Sequence, residues 1–369
     1  MDAVRILVYG AGPLGSLFAA RLKQAGHEVS LLARGGRLAD LSEDGVVLRD
    51  VITGQQTVTP VQVVDRLAPQ DSYDLVLVVM RKNHALAILP VLAANERTPN
   101  VLFLMNNAAG PGELIQALGR ERVLIGFPYA AGYLEGSIVH CLAGTAGDET
   151  TVPLGEVDGR VTDRTRWVAQ VLASAPGFCS QIRTDMDAWL KYHVALLMPS
   201  LVPALYLAGT DNRRLARTRD AVLLAVLAGR EGFRVLRALG LPVTPSGLRI
   251  LEWLPEPLLV PLLQRVLVDD KMEVALVQHA RSARDEMKHL ADEFLALART
   301  TAVPTPVIHR LYRQFQPDAP LIPDRSAEIP LDWRGLWLAA GLLAAFLLGI
   351  IVLRAAMRRL GRRSTGDPA

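Results

Sequence analysis

Cysteine is almost missing from this chain. Only Cys141 and Cys179 occur in 369 residues, and they do not stand at a metal-ligand spacing. That excludes a disulfide scaffold and a cysteine metal centre, and free thiols in a reducing compartment are expected. A charge bias is missing too. The formal net charge is +3, from 40 basic and 37 acidic residues. Arg354, Arg358, Arg359, Arg362 and Arg363 stand against Asp367 in a tail of net +4, so the preceding 353 residues net −1. The pI near 9.0 therefore describes the tail, and no nucleic-acid partner is expected. The opening MDAVRILVYGAG lacks the basic n-region, apolar run and small-residue cleavage site of an export signal. Repeats and low-complexity tracts are also absent. What remains is 50% hydrophobic and 21% charged, a folded chain with room for two domains.

The first half alternates between strand and helix patterns. Residues 4–9 form a short apolar run that ends in glycine. Leu14, Leu17, Phe18 and Leu22 then share one helical face, and Gly26 closes the helix. Residues 28–33 read as a second strand. Residues 74–80 and 101–105 are continuous apolar runs, suited to strands buried on both faces, and helix-like stretches lie at 83–94 and 112–120. This pattern predicts an α/β fold with a doubly wound parallel sheet of Rossmann type. After about residue 180, helical spacing dominates over 185–208, 213–240, 262–300 and 304–315. Residues 316–335 carry four prolines and read as a linker. Residues 336–353 then run uncharged for eighteen residues, about 27 Å of helix against a hydrocarbon core of about 30 Å. Trp333 and Trp337 flank one end of this run and the arginines the other. Because proline-rich sequence separates it from any core, a membrane span is preferred to a core or dimerising helix. The expected organisation is a Rossmann domain over 1–180, an all-helical substrate domain over 181–315, a linker over 316–335, a transmembrane helix over 336–354 and a basic tail over 355–369.

Gly10-Ala11-Gly12-Pro13-Leu14-Gly15 is a G-x-G-x-x-G between the first strand and the first helix. The first glycine allows a tight turn, the second lets backbone approach a pyrophosphate, and the third lets the helix pack on the sheet. Pro13 suits the first helical turn, and the free amides there face the phosphates. An NAD site usually has an acid after the second strand. Here Ala33-Arg34-Gly35-Gly36-Arg37 offers two arginines and no acid. A guanidinium fork at Arg34 suits a 2′-phosphate, so NADP(H) is the expected cofactor. The alternative for both arginines is a solvated loop.

From Val4 to about Phe315 the sequence resembles the ketopantoate reductase (ApbA/PanE) family. The resemblance rests on RILVYGAGPLGSLFAARLKQAGHEVSLLAR, Met80-Arg81-Lys82, Asn106-Asn107-Ala108-Ala109-Gly110, IGFPYAAGYLEGSIVH, Trp189-Leu190-Lys191, EGFRVLRALG and Asp285-Glu286 with Val303-Pro304-Thr305-Pro306. It implies a reductase that passes hydride from NADPH to the carbonyl of a 2-oxo acid. Lys191 matches the general acid, and Glu286 matches the acid that binds the substrate hydroxyl. Asn106 or Asn107 matches the asparagine at the nicotinamide, and Arg81 stands where a cofactor-contacting lysine is usual. Two substrate-binding asparagines are replaced by Ala195 and Pro199, and the serine expected near Glu273-Val274 is missing. Losing such groups weakens the case for ketopantoate itself. His193 and His279 read as packing or surface residues, and no metal is expected.

The expected function is thus a membrane-attached, NADPH-dependent oxidoreductase with a bulkier or more apolar small-molecule substrate. The alternatives are a non-catalytic module that senses NADP(H), and a related two-domain hydroxy-acid dehydrogenase. Lys191 and Glu286 in one cleft would favour the enzyme. A homodimer is a further expected association. The positive-inside rule would put the arginine tail in the cytosol. A cytosolic cofactor and the missing export signal argue instead for a C-terminal anchor with the catalytic domains cytoplasmic.

Overall fold

The computed structural model describes residues 2–145, 147–338 and 340. Most of the apolar run expected to span a membrane, and the whole basic tail, lie outside the described residues. Twelve strands are described: β1 (Arg5–Tyr9), β2 (Glu28–Leu32), β3 (Val46–Asp50), β4 (Gln56–Thr59), β5 (Gln62–Val64), β6 (Leu75–Val78), β7 (Val101–Leu104), β8 (Val123–Gly126), β9 (Ala131–Glu135), β10 (Ile138–Leu142), β11 (Thr150–Glu156) and β12 (Phe178–Ile182). Eight form one sheet in the order β12-β11-β8-β7-β6-β1-β2-β5. All its pairs are parallel except β11 with β8, so the sheet is mixed where the sequence suggested a parallel one. Its central strands are apolar throughout because helices cover both faces. Those helices include α1 (Pro13–Gln24), α2 (Gly36–Asp44), α3 (Lys82–Ala87), α4 (Leu89–Ala94), α5 (Gly112–Leu118) and α6 (Asp163–Ser174). Phe18 and Leu172 pack on one face, and Leu92 and Leu114 on the other.

A second sheet, β4-β3-β10-β9, was not visible in the sequence. It pairs β3 with β10 in parallel across about ninety residues, with hairpin partners outside. It seals the edge of α1 and brings β9 beside the glycine turn, where a Cβ on Gly132 would stand 3.4 Å from Pro13.

The helical half comprises α7 (Met186–Leu196), α8 (Val202–Leu207), α9 (Asn212–Arg217), α10 (Arg219–Ala238), α11 (Ile250–Trp253), α12 (Glu256–Leu267), α13 (His279–Ser282), α14 (Arg284–Arg299) and α15 (Pro306–Tyr312). Wider π-type turns at Leu197–Leu201 and Glu273–Gln278 join α7 to α8 and lead into α13. Among the described residues, Met186–Leu207 is the one stretch long and apolar enough to cross a membrane, and 78% of its most apolar window is buried. It also straddles the domain boundary. Met186, Trp189 and Leu190 join the sheet's core, while Tyr192, Val194 and Ala195 join the helical core. Lys191 sits at that junction.

The linker expected over 316–335 is instead an ordered strap across the helices. Ile322 N donates to Leu207 O at 3.0 Å, and Asp332 N donates to Glu256 Oε2 at 2.8 Å. Buried Asp220 accepts from Ser326 Oγ, Glu328 N and Ile329 N at 2.6, 2.7 and 3.2 Å. Burial pushes this carboxyl up, but those hydrogen bonds outweigh it and hold the group below its ordinary range. Prolines here keep the backbone extended, and a side chain from α10 satisfies its amides.

Candidate functional site

The turn after β1 meets the requirements of a dinucleotide loop. Gly10 has φ +117°, and a Cβ there would stand 2.6 Å from Val79 O. A Cβ on Gly15 would stand 1.7 Å from Gly10 O, so only glycine lets α1 close on the turn. Gly12 has no atom within 4 Å of such a Cβ, which leaves its backbone open to an approaching group. Pro13 begins α1, Leu14 packs against the sheet's core, and the amides at the helix start have no side-chain cap. This is a ready anion site at the C-terminal edge of the sheet.

The two arginines past β2 have different surroundings. Arg34 is exposed and donates to the Tyr9 hydroxyl at 3.1 Å. Arg37 folds back over the glycine turn, donating to Ala11 O at 3.3 Å, Ser16 Oγ at 3.2 Å and Ser137 O at 2.9 Å. It braces the loop against the β9–β10 hairpin, whereas Arg34 reaches solvent.

The asparagine turn follows β7. Asn107 bonds within the protein through both ends of its amide. Its Oδ1 accepts from Gly110 N at 2.9 Å and Lys82 Nζ at 2.8 Å, and its Nδ2 donates to Gly110 O at 3.0 Å. Asn106 is 6% exposed, and its Oδ1 has no partner. A buried carboxamide oxygen without a donor is costly, and the amide of a nicotinamide would supply one. The structure thus separates two residues that the sequence left equivalent: Asn107 shapes the turn, and Asn106 holds a buried carboxamide oxygen without a partner. Both observations, the open glycine backbone and the orphaned carboxamide, fit a nicotinamide dinucleotide. Among the described residues no group of side chains could hold a metal ion.

Arg81, expected at the cofactor, turns to the helical half instead. It pairs with Asp285 at 3.1 Å and donates to Ser282 O. Its neighbour Lys82 is the fully buried one. Lys82 Nζ lies 3.3 Å from Glu293 Oε1 on α14, and Glu293 Oε2 accepts from Ala108 N and Ala109 N, both at 3.1 Å. This interdomain latch was missed in the sequence. Glu293 lies two helical turns after Glu286 on the same face, a spacing that could have revealed it.

Lys191 is 7% exposed. It is paired with Asp187 one turn earlier, and its Nζ would stand 3.0 Å from a Cβ on Gly110. The structure therefore brings Lys191 onto the asparagine turn from far along the chain. Glu286, 3% exposed, accepts from Lys82 N at 3.2 Å, and its Oε2 lies 3.2 Å from His279 Nε2. Lys191 lies on the asparagine turn and Glu286 on the turn after β6, and no hydrogen bond or ion pair joins them among the described residues. Each Glu286 oxygen has one partner, and a carboxylate oxygen can accept a second donor.

On the face of α7 turned away from Lys191 stands an aromatic cluster. The Trp189 and His193 rings stack at 5.3 Å, Phe127 lies 4.3 Å from His193, and Tyr129 lies 5.8 Å from Phe127. Burial, with a smaller effect of His279, pushes the His193 pKa down to about 4, so this ring is neutral at physiological pH. Ala195 and Pro199 are buried in helix packing, and a Cβ on Gly232 of α10 would come within 3.3 Å of Ala195. Close packing occupies the space where polar substrate-binding groups were expected.

Comparison with known proteins bears out the resemblance. A family model described as ketopantoate reductase PanE/ApbA matches residues 6–156. A 2-dehydropantoate 2-reductase of Archaeoglobus fulgidus is 28% identical over 65% of this chain and 76% of its own length. One of Mesorhizobium japonicum is 26% identical over 58% of this chain and 73% of its own. Among solved structures, a putative ketopantoate reductase from Ralstonia solanacearum superposes with TM-score 0.69 at 20% identity, covering 85% of this chain and 97% of its own. A D-mandelate dehydrogenase in a ternary structure with NADH and anilino(oxo)acetate superposes with TM-score 0.67 at 16% identity, covering 84% and 96%. At such identities the structures establish a shared fold.

Proposed function

For this chain of ketopantoate-reductase type, we propose an NADPH-dependent oxidoreductase that reduces the carbonyl of a 2-oxo acid with a flat or apolar side chain. One observation carries the reading: Lys191 Nζ lies on the same turn that opens with the orphaned Asn106 carboxamide. The cofactor, when bound, supplies the hydride. The glycine turn and the amides of α1 hold its phosphates, and Asn106 meets its carboxamide. Lys191 gives a proton to the substrate oxygen as negative charge develops there, and Asp187 keeps its ammonium in place. The dehydrogenase neighbour whose structure holds anilino(oxo)acetate, an anilide of oxalic acid with an aromatic ring, supports a flat or apolar side chain on the substrate. Oxidation of NADPH in a screen of 2-oxo acids, lipophilic ones included, tests the reading. A protein inert to all of them, yet binding the cofactor, would favour a sensing module.

NADPH is expected to bind at least about tenfold tighter than NADH, because Arg34 is free to pair with a 2′-phosphate and no acid competes. Cofactor titrations of the wild type and Arg34→Ala check this. Equal affinities, or a preference that survives the substitution, would refute it. The membrane attachment is also proposed here: the run 336–353 anchors the chain, and the catalytic domains lie in the cytoplasm. Fractionation of the full chain beside a form ending at Gly335 should give a sedimenting and a soluble species, and two soluble species would remove the anchor. Protease digestion of the catalytic domains only from the outer side of sealed vesicles would reverse the orientation.

A further inference from the structure

The outer face of α12 has no protein cover among the described residues. Its inner face sends Leu259, Val260 and Leu267 into the helical core. Leu258, Leu262 and Val266 follow one another at four-residue spacing on the other side, and they are 49%, 43% and 50% exposed. A helix that is apolar on both sides calls for apolar surroundings on both. The exposure is concentrated. Nine of the fifteen exposed large hydrophobic side chains among the described residues fall within 250–268 or 333–338. Scattered single hydrophobes are ordinary, whereas a contiguous patch marks an interaction surface. The two stretches meet in space. Asp332 N donates to Glu256 Oε2, and a Cβ on Gly335 would lie 3.3 Å from Pro255, the residue just before α12. The strap thus delivers Trp333 and Trp337 close to Trp253, where the uncharged run begins.

We propose that this face is a docking surface for a lipid bilayer. The outer row of α12 and the three tryptophans would seat the helical domain at headgroup level, beside the C-terminal anchor. The proposal rests on the membrane reading above. Length argues for lipid over a fold-back of the run onto α12. The run is about 27 Å as a helix, while Leu258 to Val266 span about 12 Å, so α12 alone cannot cover it. Side-chain chemistry agrees. Tryptophan joins an apolar ring to an N–H and belongs at the headgroup layer. The arginines beyond the run suit anionic headgroups.

The test uses the full chain with an environment-sensitive nitrobenzoxadiazole label on Leu262→Cys in a Cys179→Ser background. Val161→Cys, an exposed position on the other domain, serves as the control. Vesicles contain phosphatidylcholine and phosphatidylglycerol. The label at 262 should gain about twofold in emission and shift to the blue on entering the interface, and the label at 161 should not change. An unchanged label at 262 on protein that floats with the vesicles would overturn the docking face and leave the anchor standing. Protein that does not float would overturn both. A blue shift without vesicles, growing with protein concentration, would assign the face to a second copy of the chain and overturn the lipid proposal.

Discussion

Lys191→Ala is expected to lower turnover of a 2-oxo acid by about a hundredfold or more, the scale of a positioned general acid, with cofactor binding nearly intact. The local geometry makes the substitution clean. Lys191 carries its charge at the asparagine turn, but the turn does not depend on it, because Asn107 bonds Gly110 and Lys82, and Glu293 holds Ala108 and Ala109. Asp187, left behind, is 35% exposed at its side chain, so water can take the place of the ammonium. Loss of kcat/KM without loss of NADPH affinity, read by steady-state rates and a cofactor titration, would identify a residue acting at the reacting oxygen. Wild-type turnover in the variant would make Lys191 a structural residue and leave the proton donor elsewhere.

The parts of the molecule legible in the sequence are those whose cause is local. Gly10 and Gly15 are fixed by a turn and a close approach that no other residue permits, so the nucleotide loop could be read at once. The runs around β6 and β7 are apolar because both faces are covered, and their pattern shows it. Features decided by distant partners were not legible. The second sheet joins short strands from residues 46–59 and 131–142, and nothing within either segment announces the other. The reversal of β11 beside β8 is a choice of neighbour and leaves no mark on either strand. The two π-type turns change the helical period over only a few residues, too few to shift a hydrophobic stripe. At the site, the resemblance gave Arg81 the cofactor role, and only burial shows that Arg81 bridges to Asp285 while Lys82 enters the interior. Composition misled at 316–335, where the prolines that suggested a loose linker belong to a strap tied by Asp220.

Breaking the Lys82–Glu293 latch should have the largest effect on stability. Lys82 is fully buried and Glu293 is 11% exposed at its side chain, and the two join sheet to helical domain. Two charges out of water are tolerated because each has other partners: Asn107 Oδ1 for the lysine, and the Ala108 and Ala109 amides for the carboxylate. Lys82→Met leaves the carboxylate without its buried cation, and removal of one member of such a pair costs about 3–5 kcal/mol. Urea unfolding at constant slope would read this as a lower midpoint. The double variant Lys82→Met/Glu293→Gln should recover a large part of the loss, because the glutamine oxygen can still accept from the two amides and no unpaired charge remains. The pair sits directly behind the turn that carries Asn106, so the single variant should also bind NADPH more weakly, as Lys191→Ala should not. A loss under about 1 kcal/mol, the scale of an exposed pair, or a double variant no better than the single, would show that the latch does not hold the two halves together.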